Sequence, residues 1–266
     1  MSRAFTTDDR TRVLTTTGIH NFRDYGGYPA KGGGRLVRGV LYRSGELRHA
    51  TDRDLELLDS IRLTTVVDLR GTNERLKSPW KQPAGFSASI HFADGETAHA
   101  APHVVASAGA LDAAEARRRM LKVYSGMPFR PLLIDIFRLY LTVLAESQGS
   151  TLVHCLAGKD RTGLAVALLH SALGVHRDDI FADYLLTNAA GNSEARIKAI
   201  ALDLEERFGA RLSEGALQVL AGVDAQYLER AFGAINDEYG SIDAYIARVL
   251  RISPAVREAL ARRLVI

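Results

Sequence analysis

The sequence predicts an α/β fold in which a central, mostly parallel sheet of four to five strands is flanked by helices. Short β-branched and apolar runs alternate with longer helical patterns through the middle of the chain, which is typical of such a sheet. Beyond residue 176 the patterns are helical and predict a C-terminal extension. The composition, 47% hydrophobic and 24% charged, is that of a globular protein with a sizeable core. We interpret residues 1–266 as a single domain.

The predicted strands are short. Residues 64–70, TTVVDLR, and 151–155, TLVHC, are β-branched and apolar, which indicates buried strands. Residues 87–92 alternate between apolar and polar side chains and predict a weaker strand. Two apolar pieces within residues 35–44 lie on either side of Gly39 and predict a small β-hairpin.

The helices are predicted from apolar periodicity and from their end signals. Thr51 is a suitable N-cap for a short helix over residues 51–60. Further helices are predicted at 111–125, 130–147, 163–174, 177–188, 193–208, 224–238 and 242–250, with a last one opened by Ser253 and Pro254. The Gly- and Ser-bearing stretch 209–223 does not indicate a domain boundary.

Charge and cysteine content exclude several classes of protein. A formal net charge of +3 is too small to predict a nucleic-acid partner, although it suits an anionic small substrate. A single cysteine rules out an internal disulfide framework and favours a reducing compartment. The N-terminal residues lack the apolar segment of a signal peptide, and no run approaches the ~18 apolar residues of a membrane span. We therefore expect a cytoplasmic protein without stable membrane insertion, with signal-less secretion as the open alternative and no prediction of oligomeric state.

The segment 154–163, HCLAGKDRTG, is the strongest candidate for a functional site. A strand, a loop and a helix in this order bring main-chain N–H groups around an anion at the helix N-terminus. Cys155 begins the loop and Arg161 follows after five residues, so the thiol lies in a positive field that favours the reactive thiolate. Arg161 offers a planar fork for two phosphate oxygens. The alternative, a small buried apolar Cys155, does not explain the charged residues in register with it.

Other loop residues are predicted to support phosphate binding. Gly158 permits a tight loop, Gly163 helps to start the packed helix, and Thr162 is placed to hydrogen-bond the sulfur. The predicted substrate-binding residues are Leu156, Ala157, Gly158, Lys159, Asp160 and Arg161.

This segment resembles the Cys-x5-Arg-Ser/Thr phosphate-binding loop of the protein tyrosine phosphatase superfamily. Lys159 and Asp160 make it similar to the atypical bacterial tyrosine phosphatases of the PtpB type. Five further blocks resemble that family, and together they extend the resemblance over residues ~18–250: NFRDYGGY (21–28), LYRSGEL (41–47), VVDLRGTNE (66–74), DYLLTN (183–188) and YGSIDAYI (239–246).

The resemblance implies a tyrosine phosphatase-like fold and a phosphatase that needs no metal or other cofactor. Its substrates would be phosphotyrosine, and also phosphoserine, phosphothreonine and phosphoinositides. Cys155 would attack phosphorus to give a phosphocysteine that water hydrolyses, while Arg161 and the loop amides hold the oxygens. His154 would help to organise the loop. The alternatives are a phosphoinositide-specific lipid phosphatase, a rhodanese-like sulfurtransferase and a non-catalytic phosphate-binding module.

The general acid that protonates the leaving group has three candidates. Asp68 lies at the predicted carboxyl end of a strand, where α/β sheets place site residues, and the resemblance also points to it. Asp94 occupies the topological place of the mobile acid loop of other tyrosine phosphatases. Asp160 lies in the phosphate-binding loop itself. For Asp68, a structural pairing with a nearby arginine is the competing interpretation.

Several residues outside the loop centre are interpreted as supporting ones. Arg23 and Arg43 either brace the loop and site or have local structural roles, and Asp183 is expected to brace the loop from behind. Lys159 is expected to add a cation at the rim that suits a second phosphate, with a solvated loop lysine as the alternative. The helices within 193–238 form either a movable lid over the thiolate or part of the core.

Overall fold

A computed structural model of the protein describes residues 11–80, 82, 83, 85–97, 112–190, 197, 198, 201, 202 and 212–266. Within these residues, one sheet of five strands has the order β1-β2-β5-β3-β4. The strands are β1 (Arg23–Asp24), β2 (Leu41–Ser44), β3 (Leu63–Asp68), β4 (Ser89–His91) and β5 (Ser150–His154). The predicted α/β class and strand number are confirmed.

The sheet is parallel except at one edge. Strands β2, β5, β3 and β4 run parallel, and β1 pairs with β2 in the antiparallel direction. At the carboxyl end of the sheet, His154 is in register with Ser44 on one side and with Asp68 on the other. The loops that follow β2, β3 and β5 therefore leave the sheet side by side, at the edge where α/β folds build their sites.

The helices flank this sheet and continue beyond it. They are α1 (Asp52–Ser60), α2 (Thr72–Lys77), α3 (Ala113–Gly126), α4 (Pro131–Glu146), α5 (Asp160–Ala172), α6 (Arg177–Leu185), α7 (Thr187–Ala190), α8 (Glu214–Ala221), α9 (Ala225–Tyr239), α10 (Ile242–Arg248) and α11 (Pro254–Leu264). The Thr51 side chain caps α1 as predicted. Among the described residues, no helix has both the length and the apolar character needed to cross a bilayer.

Both faces of the central strands are buried. Val66 and Leu152 belong to an apolar cluster that includes Leu58 of α1. Their chain neighbours Val67 and Val153 belong to the larger cluster, which also contains residues of α4 and α5. Because successive strand residues point to opposite faces, a strand covered on both sides needs a continuous apolar run. The loop at the end of β5 is thus carried by a rigid, buried strand.

One prediction about local structure is wrong, and one of the helices described above, α8, was missed. The hairpin around Gly39 does not form, because β2 pairs with β1 while Leu36 forms a bridge with Val265 near the C-terminus. Helix α8 was not predicted, although the Ser213 side chain caps it by accepting the N–H of Ala216. The predicted helix at 193–208 lies mostly outside the described residues.

Candidate active site

The loop of residues 155–161, termed here the phosphate loop, joins β5 to α5. Cys155 is a free cysteine, only 2% exposed, and directly follows the strand. Arg161 lies in the first turn of α5 and interacts electrostatically with Cys155. The first turn of α5, where main-chain N–H groups have no carbonyl partner within the helix, is therefore next to the thiol. The predicted order of strand, loop and helix is confirmed.

Donors from other segments hold the phosphate loop in place by hydrogen bonds to its carbonyl oxygens. The Glu46 N–H donates to the carbonyl of Leu156 at 3.0 Å. The carbonyl of Gly158 accepts from Asn21 Nδ2 at 2.7 Å and from Arg43 Nη2 at 3.0 Å. In a trans peptide the N–H points away from the C=O. The amides that follow these two carbonyls are consequently turned toward the interior of the loop, where an anion would bind.

Gly158 has no substitute at its position. Its φ is +66°, and a Cβ there would lie 2.4 Å from backbone atoms of Ser44 and Gly45. The loop approaches the chain after β2 so closely that any side chain would separate the two segments. The close approach brings Arg43 within reach of the Gly158 carbonyl.

Behind the phosphate loop lies a fully buried ion cluster. Arg43 Nη1 is 2.6 Å from Asp183 Oδ2, and Arg23 Nε is 3.4 Å from Asp183 Oδ1. Burial alone would raise the pKa of Asp183, but the two guanidinium groups lower it to about 2. Burial and the proximity of Arg43 lower the pKa of Arg23 to about 10. Asp183 thus occupies the bracing position that the sequence predicts, and Arg23 and Arg43 lie there with it.

On the open side of the loop, Arg161 is oriented by Glu74. The two side chains form a bidentate pair with N···O distances of 2.5 and 2.7 Å, and Thr97 Oγ1 accepts from Arg161 at 2.8 Å. Burial opposes the charged form of Arg161, but Glu74 and the interaction with Cys155 hold its pKa above the ordinary value. Glu74 was not predicted as a site residue. In the sequence, a glutamate three residues after Gly71 indicates a helix start and gives no sign of a partner for Arg161. In the structure, Glu74 also accepts the Gly71 N–H at 2.9 Å.

Asp68 has the structural pairing that was the competing interpretation. Arg70 donates to both of its carboxylate oxygens, at 3.0 Å from Nε and 2.8 Å from Nη2. Burial favours the neutral acid, but His154 and Arg70 outweigh it and lower the pKa of Asp68. A carboxyl held in its ionised form has no proton to donate at neutral pH.

His154 lies between this pair and the loop. Its Nε2 is 3.8 Å from Asp68 Oδ2, and its Nδ1 is 3.4 Å from the carbonyl oxygen of Cys155. Burial is the main cause that lowers the pKa of His154, and the Asp68 carboxylate opposes this shift. The imidazole thus links the end of β3 to the first peptide of the phosphate loop.

The other two candidate acids differ in position. Asp160 Oδ1 accepts from Tyr124 Oη at 2.7 Å, and Tyr184 Oη donates in turn to Tyr124 at 2.8 Å. This buried pair of tyrosines was not predicted. Asp94 has a side chain that is 83% exposed and pairs with Arg75 at 2.8 Å. Of the three candidates, Asp160 is the one in the phosphate loop, and its Oδ2 takes no part in the hydrogen bond from Tyr124.

Two expectations about side chains in this region are not met. Lys159 is 4% exposed, and its Nζ donates to the carbonyls of Leu220 and Gly222 at the end of α8, so it does not form an exposed cation at the rim. The buried Thr162 Oγ1 has no hydrogen-bond partner among the described residues, and the expected contact with the sulfur is absent.

Comparisons with known proteins agree with this geometry. A family model described as the tyrosine phosphatase family matches residues 14–266. A protein of Cupriavidus necator, provisionally named a tyrosine-protein phosphatase, is 36% identical over 247 residues, which cover 89% of this chain and 84% of the relative. The triple specificity protein phosphatase PtpB of Mycobacterium tuberculosis is 33% identical over 268 residues, with 88% and 92% covered. The matched region includes the phosphate loop and every residue described around it.

Proposed function

Because the chain belongs to the tyrosine phosphatase family and is a protein-tyrosine phosphatase, we propose that it acts through a phosphocysteine formed on Cys155. The main support for the proposal is the arrangement of groups in the phosphate loop. Its carbonyls at Leu156 and Gly158 are bound from outside, while Cys155 and Arg161 lie at its two ends. This arrangement suits a tetrahedral anion placed above the sulfur.

The proposed reaction has two displacements at phosphorus. In the first, the Cys155 thiolate forms an S–P bond while the P–O bond to the leaving group breaks. In the second, water attacks phosphorus, the S–P bond breaks, and inorganic phosphate leaves. Arg161 and the loop amides stabilise the charge on the three non-reacting oxygens in both transition states. Glu74 contributes by holding the guanidinium in place before substrate arrives. No metal or cofactor has a role in the proposal.

We assign the proton transfers to Asp160. Its Oδ1 is held by Tyr124, which leaves Oδ2 to carry the proton that the leaving oxygen takes in the first step. The same oxygen then accepts a proton from the attacking water in the second step. Asp68 fits this role less well, because its two oxygens are already bonded to Arg70. We assign Asp68 and His154 to supporting the first peptide of the loop.

The proposal is tested with p-nitrophenyl phosphate in the presence of a metal chelator. We expect turnover that vanadate inhibits, complete loss of turnover in Cys155→Ser, and retained binding of inorganic phosphate by that variant. Equal slow hydrolysis by wild type and Cys155→Ser would refute the phosphatase mechanism. Transfer of sulfur from thiosulfate to cyanide would instead support a sulfurtransferase, and phosphate binding without turnover would support a binding module.

For the substrate range, we propose phosphotyrosine peptides as the main class, with phosphoserine, phosphothreonine and phosphoinositides as further substrates. The name of the M. tuberculosis relative, a triple specificity phosphatase, supports a broad range. A second phosphate on a lipid headgroup would meet Lys159 only if its bonds to Leu220 and Gly222 were broken. A panel of phosphopeptides and short-chain phosphoinositides tests this, and a higher kcat/KM for the lipids would favour a lipid phosphatase.

A further inference from the structure

We propose that Asn21 and Arg43 act as positioning residues that fix the direction of the peptide between Gly158 and Lys159 and thereby keep the Lys159 amide aimed at phosphate. The inference rests on the proposed function, since it assumes that the phosphate loop binds the substrate's phosphoryl oxygens. These two side chains set the shape of the anion site before substrate binds and take no part in the nucleophilic attack or the proton transfer.

The peptide in question has two possible directions, and its own residues do little to choose between them. Gly158 has no Cβ and is at φ +66°, in a region that glycine enters and leaves easily. Rotation of this peptide would exchange an inward N–H for an inward C=O. A carbonyl oxygen facing the phosphoryl oxygens would repel them, whereas an N–H donates to them. Binding therefore depends on whatever holds the Gly158 carbonyl outward.

Asn21 and Arg43 together occupy both acceptor positions of this carbonyl. The Gly158 carbonyl oxygen is 2.7 Å from Asn21 Nδ2 and 3.0 Å from Arg43 Nη2. All three residues are buried. A carbonyl has two lone pairs, so the clamp saturates it. Reversal of the peptide would leave an amide and a guanidinium donor without this acceptor inside the protein, which is unfavourable.

The clamp is itself fixed by the ion cluster. Arg43 is held by Asp183 at 2.6 Å on its other nitrogen. Arg23 Nη1 donates to Asn21 Oδ1, so the carbonyl side of the Asn21 amide must face Arg23 and its NH2 group must face Gly158. Asn21 also has φ +57°, a left-handed conformation that asparagine tolerates better than most residues. The buried ion cluster thereby helps to fix the direction of the peptide between Gly158 and Lys159.

The decisive variant is Asn21→Gly, which removes the donor, adds no charge and accepts a φ of +57°. The matched control is Thr187→Val, because the Thr187 hydroxyl contacts Asn21 at 3.4 Å and Arg23 at 3.3 Å without touching Gly158. We expect the inhibition constant of inorganic phosphate to rise about fivefold in Asn21→Gly and to stay at the wild-type value in Thr187→Val.

Asn21→Asp is the second variant and keeps the side chain's size while turning an oxygen toward the Gly158 carbonyl. It should weaken phosphate binding more than Asn21→Gly does, and its charge beside Arg23 keeps the experiment possible if Asn21→Gly does not fold. Unchanged phosphate inhibition in a folded Asn21 variant, or an equal change in Thr187→Val, would overturn the clamp. Wild type that neither hydrolyses phosphate esters nor binds phosphate would refute the proposed function instead.

Discussion

The phosphate loop has an arginine–carboxylate pair on each side, and the two pairs differ in burial and in what they leave available. At the back, Asp183 is shared by Arg23 and Arg43, with side chains 0–1% exposed. At the front, Arg161 pairs with Glu74, with side chains 16% and 27% exposed. The back pair is closed off from any ligand, whereas the front pair lies beside Cys155.

Because of this difference, the two arginine–carboxylate pairs are expected to have different roles. A buried ion pair adds little net stability over an apolar replacement, but removal of one partner strands a charge and is strongly destabilising. The back pair is therefore expected to fix the shape of the loop. Glu74 at the front orients a guanidinium that is needed for binding and catalysis, so it contributes preorganisation. Variants on the two sides should consequently affect different measurements.

The largest effect is expected from Arg161→Ala at the front. It should lower kcat/KM for p-nitrophenyl phosphate by about a thousandfold and abolish inhibition by phosphate, because the main charge on the transferring group is lost. Steady-state kinetics check this. Arg257→Ala, which breaks the Arg257–Asp243 pair on the C-terminal helices, is the matched control and should behave like wild type. Residual phosphate inhibition in Arg161→Ala would place the anion elsewhere.

At the back, Asp183→Asn should mainly destabilise the fold. It leaves two buried guanidinium groups without their carboxylate, and we expect the free energy of unfolding to fall by about 3–5 kcal/mol. Urea unfolding at neutral pH measures it. Exposed ion pairs contribute up to about 1 kcal/mol. A loss below this value would mean that the ion cluster does not stabilise the segments that support the phosphate loop.

Acid should weaken the same region through His170. The Nε2–H of this buried ring donates to the Tyr25 carbonyl at 3.0 Å, and burial lowers the pKa of His170 from 6.5 to about 4. The unfolded chain binds the proton more readily, so stability is complete above pH 6.5 and declines as the pH falls toward 4, by up to about 3 kcal/mol. Unfolding measured across this window should show the decline in wild type and a smaller one in His170→Gln. Equal slopes in both proteins would exclude His170 as the cause.

The smallest expected effect belongs to Tyr124→Phe at the front. Loss of the hydroxyl removes one hydrogen bond to Asp160, about 1 kcal/mol, and should lower kcat about fivefold for phenyl phosphate. For p-nitrophenyl phosphate, whose leaving group needs little protonation, the change should be smaller. Tyr227→Phe, which removes a hydroxyl from a ring packed on Tyr124, is the control. Equal losses of kcat on both substrates would mean that Tyr124 does not assist the proton transfer.

The local part of the site could be predicted from sequence. Cys155, Gly158 and Arg161 lie within one short segment, so the strand, the loop and the helix start determine their geometry together. Asp183 was expected to brace the loop from behind, but the arginines that it binds there were not named with it. For Asp68 the sequence left two roles open, since a carboxylate at a strand end is a site residue or an ion-pair partner according to where Arg70 points.

The long-range partners could not be predicted. Glu74, Tyr124 and Asn21 reach the loop from segments that are far apart in the chain, and their local patterns indicate a helix start, an amphipathic helix and a turn. The hairpin around Gly39 failed for the same reason, because the apolar pieces beside it pair with β1 and with the C-terminus. The burial of Lys159 followed from α8, a short helix in a stretch where glycine and serine obscure the pattern.

The central claim is that a covalent phosphocysteine forms at the front of the loop and that Asp160 serves both steps. The most direct test is acid quenching during turnover of p-nitrophenyl phosphate, followed by mass spectrometry of the peptide that contains Cys155. We predict a phosphoryl group on Cys155 in wild type, none in Cys155→Ser, and more in Asp160→Asn than in wild type or Asp68→Asn, because hydrolysis would lack its base. Turnover without phosphoryl transfer to Cys155, or equal accumulation in the two aspartate variants, would contradict it.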